Sequence, residues 1–448
     1  MSSITLVMSD LHLTDGQSIL EGFGDTQQAA LEGLIAATTA GGPLGRADTV
    51  ELVINGDGFD FLAISPYTPV GTSDIAIAME KLNKIVAAHT PFFETLRRFI
   101  DTPGRRVTFI TGNHDIELRF AKVQAGIYAA IGVASDDPRV FFCPTRFYRP
   151  LADVYIEHGN NYDFWNQSMP GLWDDSGQPL DMNPSLITLP VGSRYFQHAA
   201  YPISLNYAYF DHFEPSMNSP RQIALLCLLA PEIVVETAKH TLELLSPPRK
   251  ALVNLAPGEE QIPVKLFEQA MMDFAAFHQD MREQKEGWVE LGGQDSDKVQ
   301  ADTMMEYQML LEALTLPTTE AVAAICTPTT YQMGESVAMG MHAVLQNEPQ
   351  LRYALAGHTH MVRIDLVNNG TQSYLNTGTW TTRLALPAPG EVNAARVEWL
   401  RHPNWQQIPL RDVSQLTFAM LNATSHGPSS ASLCAWEGGR KGSYRVIA

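Results

Sequence analysis

Ile4-Thr5-Leu6-Val7-Met8-Ser9-Asp10-Leu11-His12 is the stretch that decides the fold. Its short run of branched and apolar residues reads as a strand buried on both faces. The run breaks straight into Ser-Asp-Leu-His, delivering a carboxylate and an imidazole at the strand's carboxyl end. The event repeats downstream. Residues 51–55 run into Asn55-Gly56-Asp57, residues 107–111 into Gly112-Asn113-His114-Asp115, and residues 154–157 into His158-Gly159. Far later, Tyr353-Ala354-Leu355-Ala356 precede Gly357-His358-Thr359-His360.

Between the early strands, helical spacing appears at 26–40, 74–88 and 91–100, and Gly41-Gly42-Pro43 closes the first of these. Strands alternating with helices predict a layered α/β fold. Side chains at the carboxyl ends of such strands lie where open α/β sheets bind their ligands.

From about residue 160 to 348 the texture changes. Proline and aromatic residues crowd 170–190 and 195–213. Amphipathic helices follow at 223–245 (broken at Pro231), 262–285, 304–314 and 336–345, and Phe267, Met271, Phe274 and His278 share one face. A stretch of that length exceeds any ordinary loop, so a large, mainly helical insertion with its own fold or a capping role is expected. Asn368-Asn369-Gly370 between apolar runs signals a hairpin, and 432–436 with 443–447 form another candidate pair. The expected plan is a core over 1–165 and 349–400, a helical insertion over 166–348, and a C-terminal extension over 401–448 carrying a β-hairpin.

The chain of 448 residues carries 30 Lys and Arg against 49 Asp and Glu, a net −19. That field repels nucleic-acid backbones and weighs against nucleic acid as a partner. Cys143, Cys227, Cys326 and Cys434 lie far apart with no C-x-x-C pair, which suits structural thiols in a reducing compartment. The start reads as a strand and not as a signal peptide. The longest strongly apolar run, 223–230, stops at Pro231 and is too short to span a bilayer. A cytoplasmic protein without a transmembrane segment is expected.

Carboxylate, imidazole and amide oxygen together suit divalent ions such as Mn²⁺, Fe²⁺ or Zn²⁺. Two such ions, roughly 3.5–4 Å apart, need a ligand able to bridge them, and a carboxylate has two oxygens for that task. Glycines beside the ligands permit tight turns and close backbone approach.

The ordered set D-x-H, G-D, G-N-H-D, H-G and G-H-x-H, running from Asp10 to His360, resembles the calcineurin-like metallophosphoesterase family. Asn376-Thr377-Gly378-Thr379-Trp380 is similar to the strand segment beyond the last histidine motif in that family. The resemblance implies an α/β fold built on a layered β-sandwich flanked by helices, with two divalent metal ions. Asp10, His12 and His360 would hold the first ion, Asn113, His158 and His358 the second, and Asp57 would bridge them. His114 would protonate the leaving-group oxygen or stabilise the transition state, Asp115 would orient His114, and Asp60 would support the site. The implied reaction is hydrolysis of a P–O bond of a phosphodiester or phosphomonoester by a metal-bridging hydroxide.

Ser-Asp-Leu-His, the G-D-x-x-D pattern at 56–60 and Gly-His-Thr-His resemble the UDP-2,3-diacylglucosamine hydrolase branch. That branch cleaves a pyrophosphate in a nucleotide-linked lipid precursor. It has Arg where this chain has His114, and a shorter insertion, so the pyrophosphatase is the second expectation. A catalytically inactive metal-binding scaffold is the alternative of another class. Decayed relatives lose ligands or the catalytic histidine, whereas every position is filled here. Outside the motifs, Asn160-Asn161-Tyr162-Asp163 reads either as a plain turn or as a turn whose Asn160, Asn161 and Asp163 line the pocket. Arg194, His198 and His212 sit in the aromatic early part of the insertion, within reach of a small-molecule or lipid-linked phosphate substrate.

Overall fold

The computed structural model describes residues 2–39, 41–66, 71–168, 172–174, 176–244, 262–284, 296–327, 334–424 and 427–447. Positions 40, 170, 245 and 285, at the ends of ranges read from sequence, lie outside them, as does the side chain of His278. The fold is mixed α/β, with several sheets and many helices.

The chain divides into two compact units. The first comprises residues 1–194, 334–382 and 414–448, and the second 195–333 and 383–413.

In the first unit, Ser2–Met8 forms a strand as its composition dictates. It pairs in parallel with Thr49–Asn55, which pairs in parallel with Arg105–Ile110, which in turn pairs with Val140–Phe142. On its other side Ser2–Met8 pairs antiparallel with Leu416–Thr424, and Gly427–Glu437 and Ser443–Val446 complete a seven-stranded sheet. A second, five-stranded sheet holds Val154–Glu157, Tyr353–Ala356 and Gln372–Thr377 as parallel neighbours, with Val362–Val367 and Phe147–Tyr148 antiparallel at its edges.

Period-two alternation divides the side chains of the large sheet between two cores. Leu6, Met8, Leu52, Ile54, Val107 and Phe109 join one cluster with helical residues such as Leu31, Leu34, Leu82, Phe92 and Leu96. Val7, Val53, Ile110, Ala419 and Leu421 join another with Val154, Ile156, Leu355 and Leu375 of the five-stranded sheet. Both faces of the central strands are therefore dry, which explains their unbroken apolar character. Local signals set the helices. Asp74 caps Ile75–Ala88, accepting from Ala76 N at 2.8 Å and Ile77 N at 3.0 Å.

The second unit is mostly helical. Ser219–Leu229 and Pro231–Glu243 are separate helices meeting at Ala230, because Pro231 has no N–H to continue the first ladder. With Ile262–Gln284, Ser296–Ala313, Thr318–Ile325 and Ala394–Arg401 they enclose a core that includes Tyr209, Phe213, Leu226, Phe267, Leu310, Val322, Trp399 and Leu400.

These boundaries differ from the plan drawn from sequence. Residues 383–413 group with the helices because Val397, Trp399 and Leu400 bury in the helical core, where Leu400 O accepts from Tyr209 at 2.8 Å. Residues 414–448, set apart in the sequence reading, supply three strands of the large sheet. Among the described residues, no helix is long and apolar enough to cross a membrane.

Candidate metal centre

Six parallel strands of the first unit release their carboxyl ends toward one edge, three from each sheet. The residues immediately beyond those ends are Asp10, Asp57, Asn113, His158, His358 and Trp380 with their neighbours. Hydrogen bonds tie the loops to each other. Leu11 N and His12 N both donate to Asp57 O at 2.9 Å, Asp10 N donates to Gly56 O at 3.2 Å, and Trp380 N donates to Asp10 O at 3.1 Å.

The backbone is strained here. Among the described non-glycine residues, those with left-handed φ are Asn368 and Asn369 in a hairpin turn, then Asp10 (55°), His12 (49°), Asp57 (50°), His358 (68°) and His360 (59°). Each such residue costs roughly 1–2 kcal/mol. Five of them are expected metal ligands, and such outliers concentrate where function imposes them. Two glycines are required by close approach. A Cβ on Gly112 would stand 2.1 Å from Asp57 Oδ1, and one on Gly357 would stand 2.3 Å from Ser9 Oγ and 2.5 Å from Asp10 Oδ2.

Two clusters result. In the first, Asp10 Oδ1 lies 3.3 Å from His360 Nε2 and 3.9 Å from His12 Nε2, and the two imidazole Nε2 atoms are 3.1 Å apart. In the second, Asp57, His158 and His358 each offer one donor atom, all within 4.8 Å of one another. Asp57 Oδ2 lies between the clusters, 3.1 Å from His158 Nε2 and 3.9 Å from His12 Nε2. Asn113 reaches the second cluster by relay. Its Nδ2 donates to Asn166 Oδ1 at 3.4 Å, Asn166 Nδ2 donates to Asp163 Oδ2 at 2.7 Å, and that oxygen is 3.0 Å from His358 Nε2.

The tautomers follow from the partners. His158 Nδ1 lies 2.8 Å from Asn55 O, a pure acceptor, so Nδ1 carries a proton. The lone pair of Nε2 then faces the Asp57 carboxylate, an arrangement that demands a proton or a cation between them. His12 Nδ1 is held by Asp60 Oδ2 at 3.1 Å, which turns its Nε2 toward the first cluster in the same way. Asn113 Oδ1 is buried without a hydrogen-bond partner, and Asp10 Oδ1 and His158 Nε2 meet only the imidazole and carboxylate groups of the centre itself. Leaving a buried polar atom unsatisfied costs about 1–3 kcal/mol, and a cation would serve all three. These donors are hard or borderline, as Mn²⁺, Fe²⁺ and Zn²⁺ prefer. All four cysteines are buried and free.

Charge and burial oppose each other throughout. Burial alone would raise Asp10, Asp57 and Asp60, but the surrounding imidazoles hold all three carboxyls below their ordinary range. Burial would lower His158, yet Asp57, and beyond it Asp10, push it up to about 9. His12 is driven well above its ordinary value by Asp10, Asp60 and Asp57 against the pull of burial. Asp115 is pushed up to about 7 by burial and by the charge of Asp57.

The structure corrects one expectation. Asp115 does not face His114; its oxygens accept backbone amides instead, from Gly112 at 2.6 Å and from Gly58 at 2.9 Å. The carboxylate beside the His114 ring is Asp60, whose Oδ2 is 3.1 Å from His114 Nδ1 and whose Oδ1 accepts from Leu62 N and Ala63 N at 3.0 Å. Adjacency in sequence was the wrong guide, because the turn after Gly112 points consecutive side chains apart. Asp163, from the Asn160-Asn161-Tyr162-Asp163 turn, is a further polar residue of this centre, and so is Asn166, which carried no sequence signal.

Asn160 and Asn161 are buried in the turn after His158, where their amides serve the loop itself. Asn160 Nδ2 donates to Asn166 O at 2.8 Å, and Asn161 Oδ1 accepts from Ser168 N at 3.2 Å. Arg194 lies over Gly71, its Nε is buried without a hydrogen-bond partner, and burial lowers its pKa. His198 and His212 belong to the second unit.

No family model matches the chain, and no curated protein does. Solved structures with some likeness include a dimetal phosphatase from Danio rerio, 10% identical, covering 99% of each chain with a TM-score of 0.33. Phosphopantetheinyl hydrolase from Mycobacterium tuberculosis is 12% identical, with 92% of this chain and 96% of that one covered and a TM-score of 0.24. At such scores neither likeness bears on the fold or activity of this chain.

Proposed function

We propose that this chain is a metal-dependent phosphoesterase with a dinuclear centre, acting on a phosphodiester or phosphomonoester. The observation that carries this reading is the position of Asp57. Its Oδ2 lies 3.1 Å from His158 and 3.9 Å from His12, between two clusters of buried metal-type donor atoms. Asp10, His12 and His360 would hold one ion, Asn113, His158 and His358 the other, and Asp57 both. Bound there, the ions supply Lewis acidity toward water and toward a phosphoryl oxygen.

The protein's own groups do the rest. Asp60 fixes the His114 and His12 rings through their Nδ1 atoms, each 3.1 Å from its Oδ2. Burial would lower His114, but Asp60 and Asp57 raise its pKa above the ordinary value. With Nδ1 turned to Asp60, Nε2 is the nitrogen left to hand a proton to a leaving oxygen. The His114 side chain is 24% exposed while Asp57 is buried, so the proton donor stands at the open side of the centre. Asp10 Oδ2 accepts from His358 N at 3.0 Å and Asp57 Oδ1 from His114 N at 2.8 Å, so the carboxylates are positioned by the very loops they serve.

The test is Mn²⁺-dependent hydrolysis of bis-p-nitrophenyl phosphate and p-nitrophenyl phosphate. Asp57→Asn is expected to abolish metal-dependent turnover, and His114→Ala to lower it by about 10²–10⁴-fold. If both variants match the unaltered chain, the centre has been misassigned.

A further inference from the structure

The helical unit carries a second set of metal-type donors, made of residues unrelated to the centre above. His240 and Glu243 are one turn apart at the end of the Pro231–Glu243 helix. His198 is the middle residue of a π-helical segment, Phe196–Ala200. Such segments are rare and concentrate at functional sites.

Glu243 Oε2 lies 3.2 Å from His240 Nδ1 and 3.6 Å from His198 Nε2. One donor atom from each of the three residues falls within 4.8 Å of the other two. The two imidazoles stand 5.5 Å apart at 73°, so the rings meet edge to face without stacking. A tetrahedral ion with bonds of about 2.0–2.1 Å has ligand-to-ligand edges of about 3.4 Å. The two measured separations bracket that length, and the third edge, between the two imidazoles, is held within 4.8 Å, so a zinc-sized ion would draw the two rings together.

We propose that His198, His240 and Glu243 bind a divalent cation of the zinc class. Two imidazoles and one carboxylate form a donor set that zinc accepts with its fourth position left to water. The three side chains are 27%, 30% and 44% exposed, which gives an ion a path in and leaves that fourth position open. Glu236 lies one turn before His240, its Oε1 4.0 Å from His240 Nε2, on the side where a carboxylate orients a metal-bound ring. The ion would fasten the π-helical segment to the end of the neighbouring helix. This proposal does not depend on the phosphoesterase reading.

The experiment counts zinc bound to the full-length chain after chelator stripping and dialysis against Zn²⁺, and repeats the count with variants. His240→Ala combined with Glu243→Gln should bind one equivalent fewer than the unaltered chain. Asp57→Asn combined with His158→Ala should keep that equivalent. His240→Cys, which supplies a stronger zinc ligand, should also retain it. Co²⁺ gives a second readout, because tetrahedral coordination produces intense visible bands. These should persist in the Asp57→Asn/His158→Ala protein and vanish in the His240→Ala/Glu243→Gln protein. Equal zinc counts in the unaltered chain and the His240→Ala/Glu243→Gln variant, with matching far-ultraviolet circular dichroism, would overturn the proposal.

Discussion

Proton competition at His158 yields a prediction whose magnitude comes from the structure. With Nδ1 committed to Asn55 O at 2.8 Å and Nε2 facing Asp57 Oδ2 at 3.1 Å, the metal-free centre keeps a proton on Nε2 up to about pH 9. A free imidazole titrates near 6.5. The folded value is the higher, so this proton stabilises the metal-free fold fully below about pH 6.5, and the contribution fades as pH rises through about 9. Its full size is about 3 kcal/mol. A cation taking the same nitrogen must expel the proton. At neutral pH, about two units below the His158 value, its apparent affinity is reduced about a hundredfold. His12, also raised, adds to the penalty.

The assay is isothermal titration of the metal-free chain with Mn²⁺ or Zn²⁺ at several pH values, in two buffers of different ionisation heat. Affinity should climb steeply from about pH 6.5 and level off near 9, with about one to two protons released per chain at neutral pH. Asp57→Asn should lower the His158 pKa and flatten the profile. An affinity constant over that range, with no proton release, would show that no cation contends for this nitrogen.

Three further outcomes are expected. Asp163→Asn removes the carboxylate 3.0 Å from His358 Nε2 and should weaken metal binding about 10–100-fold in a chelator competition assay, with thermal unfolding of the metal-free chain little changed. Gly112→Ala places a methyl group 2.1 Å from Asp57 Oδ1, so metal-dependent hydrolysis should fall much further than after Gly390→Ala, where nothing lies within 4 Å. Trp380→Ala empties a site with 0% exposure and breaks the bond from Nε1 to Thr417 O at 2.6 Å. Denaturant unfolding should record a loss of about 3–5 kcal/mol.

The convergence of the proposed ligands was legible in the sequence because each of their motifs follows a strand of obvious apolar character, so position along the chain translates directly into position at the sheet edge. Asp10, Asp57, His158 and His358 need no further information. Asp163 was legible only as a residue of the turn after His158 that could line the pocket, and Asn166 not at all, because they arrive through an irregular turn without periodicity. The exchange of Asp115 for Asp60 beside His114 has the same origin: only the course of the turn decides which of two nearby carboxylates meets the ring. The strand Leu416–Thr424 escaped notice for a different reason. Its run Leu-Thr-Phe-Ala-Met-Leu fits a buried helix as well as a strand, and its pairing with Ser2–Met8 is a long-range event that no local pattern encodes.

That pairing has a consequence for how the protein is made. The strand carrying Asp10 toward the centre lies between Thr49–Asn55 and Leu416–Thr424, so one side of it is uncovered until a segment roughly 400 residues later leaves the ribosome. At about 5–20 residues per second, that interval is roughly 20–80 s. Through all of it Asp10, His12 and Asp57 wait for His358, His360 and the closing strand, and a nascent chain stalled before residue 416 has an open β-edge where the finished sheet has a neighbour.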